Sequence, residues 1–468
     1  MTRTDIKGLA VSTSSSEALA AYERGLDLFL RWRGAPMDAL AASVKADPGF
    51  VLAHCARALI AWRMGQVAPA AAAHREVMAL VDRAQDERER AHVEVVDALQ
   101  QGERAKAQEL LERTCERYPL DRLIVRIVGL NCIAQGDYEG GMTIARRSLD
   151  VDPGEPQFMT MLGFFLEQSG YNEEGLAMSA RSLALDPTNL YTYHAVGHAY
   201  QARGDYPRAL ETFERAASLE RHTHVLWHLA EARTILGHER FTRDYWSSTA
   251  PALPVHERVE LLWRLEMLHH VSTPDAVWTD LAAEGERLLE HPDALTIWMH
   301  HWIGLAFARA GETTKAGRQV AYLRRLPEGR ASGHWSTIGA DILEGELAIL
   351  RGDDASAVEM MATAIGRIHA MGGGSREQKD IFRDVFLELH RRLDRPREVM
   401  ALAQERLLQN PNHLPSLAAL AWAYGRTGQA AEQRQAWSQF VRRAEAVGLA
   451  PDAPALAEAR RALHATVH

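Results

Sequence analysis

The chain has 468 residues, 47% of them hydrophobic and 25% charged, a globular composition that excludes wholesale disorder. Lys and Arg total 53 against 62 Asp and Glu, a formal charge of −9, which argues against a surface built to grip phosphate, so no nucleic-acid partner is expected. Cys55, Cys115 and Cys132 form no CxxC pair and are too few for a disulfide framework. The opening residues lack the apolar core of a signal peptide and no stretch of about 18 apolar residues occurs, so the expectation is a cytoplasmic protein without a membrane partner.

Read from the N-terminus, the chain is one helix after another. Stretches of roughly 12–16 residues with helical periodicity end in short Gly, Pro or Asp turns, and strand-like alternation is absent. A weak pair surrounds Gly65, and a clearer one carries Gly102, Ala107, Leu111 and Pro119. From there a fixed period sets in. Gly129, Gly163 and Gly197 are spaced by 34, as are Gly136, Gly170 and Gly204, and Pro153 and Pro187. Its best copy is YHAVGHAYQARGDYPRALETFERAASL, Tyr193 to Leu219. Past Gly237, HERVELLWRLEMLHH remains helical. Later copies carry Ile303, Gly304, Phe307, Gly311 and Ala316, then Gly345, Ala348, Gly352 and Ala357, then Leu420, Tyr424, Gly428 and Trp437. A final helix is expected from Ala453 to Ala465.

Thirty-four residues is the period of the tetratricopeptide repeat, an antiparallel pair of helices A and B. With Tyr193 at position 4, Gly197 takes position 8, Tyr200 position 11, Gly204 position 15, Ala209 position 20, Phe213 position 24 and Ala216 position 27. The small residues at 8 and 20 let the two helices approach, and the aromatics at 11 and 24 fill the space between neighbours. The expected fold is all-α, a tetratricopeptide-repeat-like α-solenoid of about twelve helix pairs, which as a superhelix can wrap a cavity. Four segments are expected: N-terminal helical repeats over 1–85, core repeats over 86–255, irregular helical repeats over 256–371, and C-terminal repeats with a capping helix over 372–468. The looser loops Ser248–Pro254 and Met371–Ser375 are expected to be hinges or edges between sub-arrays.

The repeat frame also assigns the histidines, of which there are 21. Positions 2, 5, 9 and 12 of helix A point into the concave groove. His92, His194 and His301 take position 5, His198 position 9, and His224 position 2 with His228 on the same face. Glu167 and Gln201 fall at position 12 and Glu231 at position 9. His194 and His198 stand at i and i+4, as do His224 and His228, so each pair presents both rings along one face. On neighbouring A helices, His194, His198, His224 and His228 suit one divalent metal. The plainer alternative is rings in the groove bonded to each other, to water and to carboxylates such as Glu231; a metal-free acid/base or ligand pocket is the third. Trp227, Trp298 and Trp302 are expected to pack between helices more than to stack a ligand. The arginine clusters RRLDRPRE and YLRRLPEGR read as solvated faces. No serine elbow and no dinucleotide fingerprint is present.

At these residues the chain resembles the tetratricopeptide repeat protein 38 family, over roughly residues 10 to 395. VSTSSSEALAAYERGLD is similar to the start of that family, KADPGFVLAHC to its Ala-Asp-Pro segment followed by a histidine (His54), and RERAHVEVVDA to its block before His92. The pairs His194/His198 and His224/Trp227/His228 match its two His-x3-His helices. LLWRLEM, with Trp263 and Arg264, resembles another block, and His301 falls where the family has a histidine. GGSREQKDIF matches its Gly-Gly-Ser segment and brings Gln378 and Asp380 into the candidate set. Two departures stand out: Gly129 and Leu130 replace a His-Asp pair, and Tyr200 stands where some members carry another histidine. The resemblance implies an α-solenoid with a histidine-rich interior.

Two readings of function follow. In the first, the groove binds a protein, peptide or small-molecule ligand through His54, His92, Glu167, His194, His198, His224, Trp227, His228, Glu231, Arg264, His301, Gln378 and Asp380. In the second, the solenoid encloses an active site. There the His194/His198/His224/His228 cluster holds a metal or moves protons, with His92, His194, His301 and Asp380 as catalytic candidates and Gln378 and Arg264 positioning substrate.

Overall fold

The computed structural model describes residues 3–84, 86–238, 253–292, 295–326 and 335–464, and among them the protein is all-α, with 24 helices. It divides into two compact units.

The first unit comprises Met1–Ile133, Asp137–Ser169 and Ala177–Ala195. In it α1 (Ser16–Leu30) packs on α2 (Pro36–Ala46), α3 (Val51–Arg63) on α4 (Val67–Met78), and α5 (Glu87–Gln100) on α6 (Arg104–Arg117). Next come α7 (Arg122–Gln135), α8 (Tyr138–Val151), α9 (Pro156–Gln168) and α10 (Asn172–Leu185). Small residues set the close approaches, as the repeat frame requires. A Cβ placed on Gly141 would lie 2.3 Å from the Phe165 ring.

Ahead of α1 stands a feature that the sequence pattern does not announce, a two-residue antiparallel ladder between β1 (Arg3–Thr4) and β2 (Ala10–Val11). It is too short to show as alternation. Its turn is closed by the Asp5 carboxylate, which accepts from the Lys7 and Leu9 amides. Charged side chains then strap it to the helices. Arg88 on α5 pairs with Asp5 and Asp121, and Lys7 pairs with Asp152 and Glu155 at the α8–α9 turn. The Ser12 amide donates to Glu89, and Thr13 donates to Asp47.

The second unit comprises Ala134–Gly136, Gly170–Leu176 and Val196–His468. It takes the C-terminal half of α11 (Leu190–Ala202), then α12 (Tyr206–Leu219) and α13 (Thr223–Ile235). After residues outside the described set come α14 (Val255–His269), α15 (Asp275–Leu288), α16 (Ile297–Arg309), α17 (Thr313–Arg325), α18 (Ser336–Leu350) and α19 (Asp354–Ile365). α20 (Arg376–Arg392), α21 (Pro396–Gln409), α22 (Leu414–Arg426), α23 (Ala430–Val447) and α24 (Pro454–His464) complete it. The order reproduces the expected run of helix pairs and final helix.

Local chemistry sets the ends of the helices that matter for the site. Asp205 caps α12 by accepting from the Arg208 amide, and Pro207 sits in the first turn, where no amide proton is needed. At α20, Ser375 and Gln378 form a reciprocal capping box. The preceding Met371–Ser375 segment is packed against α16. Met371 is buried, the Trp298 amide donates to the Gly372 carbonyl at 2.9 Å, and Gly373 and Gly374 have positive φ with their backbone against the Trp298 side chain. Of the other expected hinge, Ser248–Pro254, residues 248–252 lie outside the described set.

Gly197 is the clearest test of the repeat frame. A Cβ there would meet the Phe213 ring at 2.3 Å. Gly197→Leu should therefore destabilise the protein by about 1–3 kcal/mol or more through overpacking, read as a lower urea midpoint at unchanged slope. A variant that melts with the wild type would refute the frame.

Candidate functional site

Within the second unit, α11, α13, α14 and α20 bring ionisable side chains from four stretches of sequence into one buried cluster. The α11 turn contributes His198 and Gln201, and α13 contributes His224, Trp227, His228 and Glu231 along one face. α14 supplies Glu257, Glu260 and Arg264, and the first turn of α20 supplies Glu377. Most of these are almost wholly excluded from solvent, His198 and His228 completely; His224 keeps its side chain 24% exposed. His198 and His228 are interior groups, and His224 reaches partly to the surface.

Each of the three histidines is backed by a carboxylate. His198 Nδ1 lies 2.6 Å from Glu377 Oε2, His224 Nδ1 2.6 Å from Glu257 Oε1, and His228 Nδ1 3.5 Å from Glu231 Oε2. The opposite nitrogens converge: His198 Nε2 and His228 Nε2 are 3.0 Å apart, and ligand nitrogens of all three rings lie within 4.8 Å of one another. Aromatic contacts fix the rings. Phe213 stacks on His228 at 5.0 Å, and Trp227 stacks on His224 while donating its indole proton to the Glu257 carbonyl. Burial, reinforced by His198 and His224, drives the His228 pKa well below the usual histidine range, so this ring is neutral at pH 7. Burial alone would raise Glu257, but the adjoining His224 holds its carboxyl below the usual range.

Behind the histidines lies a second layer. Arg264 donates to Glu231 at 3.0 Å and to Glu260 at 2.8 Å, and Gln201 donates to Glu231 at 3.2 Å. One guanidinium thus serves two buried carboxylates. Burial pushes Glu231 well above the ordinary carboxylate range, and Glu260 up to about 6, against the pull of Arg264. A parallel arrangement follows on α20 and α21. Arg406 pairs with Asp380 and, at 3.4 Å, with Asp384, and it also reaches His413. Burial lifts Asp384 to about 6. Both layers face a cavity of about 790 Å³, whose polar wall includes Glu231, Arg264, Glu377, Asp380 and Asp384 and whose apolar wall comes from α22, α23 and the start of α24.

The candidates named from sequence separate into groups. His198, His224, Trp227, His228, Glu231 and Arg264 meet in the cluster, and Asp380 lies on the cavity wall. Gln378 is the third residue of α20 and completes its capping box, its side chain accepting from the amide of the cap residue Ser375 at 2.8 Å. His301 pairs with Glu346 at 3.1 Å and packs on Phe382 and Trp302. In the first unit, His194 packs among Trp32, Phe164 and Tyr191, one helical turn before His198 on α11. His92 bonds Asp121, which also holds Arg88. His54 bridges Glu76 and the Pro48 carbonyl, and the buried Glu167 accepts from Gln168. Glu257, Glu260, Glu377, Asp384, Arg406 and His413 were missed in the sequence. For Glu257 a signal exists, since it follows His224 by 33 residues, the same offset as Arg264 from Glu231. Glu377 lies 179 residues from His198 and carries no such signal.

A family model for the tetratricopeptide repeat matches residues 190–223. The chain contains a tetratricopeptide repeat. No curated protein sequence matches it. Among solved structures it is similar to the hetero-tetramer Cut9–Hcn1 of the APC/C, at 14% identity and TM-score 0.48, covering 96% of this chain and 76% of that one. It is also similar to human IFIT1, solved as a dimer with PPP-AAAA, at 17% identity and TM-score 0.43, covering 84% and 90%. A tetratricopeptide repeat protein from Parabacteroides merdae follows at 12% identity and TM-score 0.29, covering 64% and 98%. Among the described residues no helix is long and apolar enough to cross a membrane.

The lifted Asp384 carboxyl gives a pH test. Its pKa rises on folding from about 3.9 to about 6. Its contribution to stability is therefore full below about pH 4 and is lost as pH climbs through 6. Asp384→Asn, which mimics the protonated form, should be more stable than wild type at pH 8 by about 2 kcal/mol, with the gap closing by pH 4. Denaturant midpoints at the two pH values check the sign.

Proposed function

We propose that this chain uses a tetratricopeptide scaffold to hold a divalent metal of the zinc class beside a small-molecule site. His198, His224 and His228 would be ligands through Nε2. The observation that carries the reading is the three imidazole–carboxylate dyads, since metal-binding histidines characteristically give their other ring nitrogen to a carboxylate. Two nitrogens about 2.0–2.1 Å from one zinc ion stand roughly 3.3 Å apart, close to the 3.0 Å between the His198 and His228 nitrogens. When bound, such an ion supplies Lewis acidity or an activated water.

The residues themselves define how the site is loaded. The hydrogen-bond network assigns one proton between His198 Nε2 and His228 Nε2, and burial favours the protonated form of Glu231. Freeing the His228 Nε2 lone pair moves that ring to its Nδ1–H tautomer, which then donates to an ionised Glu231. One proton leaves in the exchange. Arg264 steadies the Glu231 charge that results.

The buried position of the histidines favours a small ligand over an extended peptide. Kinship with the tetratricopeptide repeat protein 38 family, carried by His224/Trp227/His228 and GGSREQKDIF, is part of this proposal, as are a cytoplasmic location and the absence of a nucleic-acid partner. The ordinary use of such repeats, docking a protein or peptide, is the second reading, and it rests on the matched repeat.

Elemental analysis of the purified, untagged protein should find about one zinc, manganese or iron per chain, lost in His198→Ala/His224→Ala. Adding zinc to chelated protein in weak buffer should release about one proton per metal, and Glu257→Gln should weaken binding by about 10- to 100-fold. Protein that carries no metal and takes none up would turn the reading to a metal-free pocket.

A further inference from the structure

The cavity of the second unit has a charge imbalance that the histidine cluster does not use. Among the described residues lining it, carboxylates outnumber guanidiniums seven to two. The pairing is more telling than the count. Arg264 is shared between Glu231 and Glu260, and Arg406 between Asp380 and Asp384. Glu231 answers the shortage by holding its proton, whereas Asp380 and Asp384 share Arg406, and the neighbouring Arg383 is paired with Glu405, which leaves this pair short of positive charge in a low-dielectric wall. Histidines on the same wall do not fill the deficit. Burial lowers His269 to about 4 and His413 well below the usual range, so both are neutral. Part of the lining is apolar and aromatic, with Trp422 and Trp437 among Leu414, Ala418, Ala419 and Phe440 of α22 and α23. Trp437 and Asp384 are both more than nine-tenths buried. A volume of about 790 Å³ falls within the usual range for a small-molecule site.

We propose that this cavity binds an amphiphilic organic cation, a small ammonium with an apolar or aromatic body, its charged head against Asp380 and Asp384 and its body against Trp422 and Trp437. The head supplies the positive charge that Arg406, shared between two acids, does not, and the indoles add a cation–π or stacking face. An anion of the same shape meets the surplus carboxylates and is rejected. Binding of the ammonium requires no metal at the histidines.

The test is calorimetric titration of the full-length protein at pH 7.5 with 4-phenylbutylammonium, 4-phenylbutyrate and 4-phenylbutanol, run before and after chelation. The ammonium should bind at least tenfold tighter than either isostere, in both states. Asp384→Asn should lower its affinity by tenfold or more, and Ala418→Trp, which fills the cavity from α22, should abolish binding. Circular dichroism melts establish that each variant is folded; should one variant fail to fold, the other and the three-probe comparison still decide. Equal binding of the carboxylate, no binding of the ammonium, or binding that survives in folded Ala418→Trp would each overturn the proposal.

Discussion

The seat of Phe213 against Gly197 is the contact on which the second unit is organised. A helix pair can close only where one backbone is bare enough for a large side chain to lie on it, and the repeat supplies that bare spot at a fixed position. The ring placed there does more than fill space, because its other face stacks on His228 at 5.0 Å. A residue of the repeat signature thereby fixes an imidazole of the candidate site. The same logic recurs in Gly345 against Met361 and Gly304 against Leu343, where no ionisable group is attached to it.

Once the imidazoles are inside, electrostatics dictates the rest. A buried ring with two nitrogens needs two partners, and here a carboxylate takes one nitrogen of each ring while the others converge. Those carboxylates are themselves buried and require cations or protons. Arg264 supplies one charge for two acids, and the remaining acid answers by holding its proton. The layered order is therefore a chain of compensations, from histidine to glutamate to arginine, and it ends at the cavity where compensation is incomplete.

How much of this was legible in the sequence depends on distance along the chain. The 34-residue period is local, so the helix order, the bare glycines and the final helix follow from it. Neighbouring repeats place residues about 30 to 34 apart side by side, which is why the His198–His228 meeting could be anticipated. Glu257 and Arg264 were open to the same argument, being offset by 33 from His224 and Glu231. Contacts that skip many repeats are not encoded in any period. Glu377, Asp384 and Arg406 reach the site from α20 and α21, and nothing near them in sequence marks their partners. The frame also misjudged depth: position 9 predicts the side of the helix that His198 occupies, but not that later helices cover it.

The strap ahead of α1 changes how the first unit can come apart. A linear stack of repeats touches only its neighbours, so its ends fray independently and its stability is a sum of local terms. In this unit Lys7 is tied to Asp152, 145 residues away, and Arg88 joins Asp5 to Asp121. The tether joins the first residues to the α8–α9 turn and converts an open row into a closed loop of interactions. Loss of any single repeat then strains all the others, so the unit unfolds as one cooperative body, and its terminal helices are denied the early, partial opening by which proteases enter solenoids.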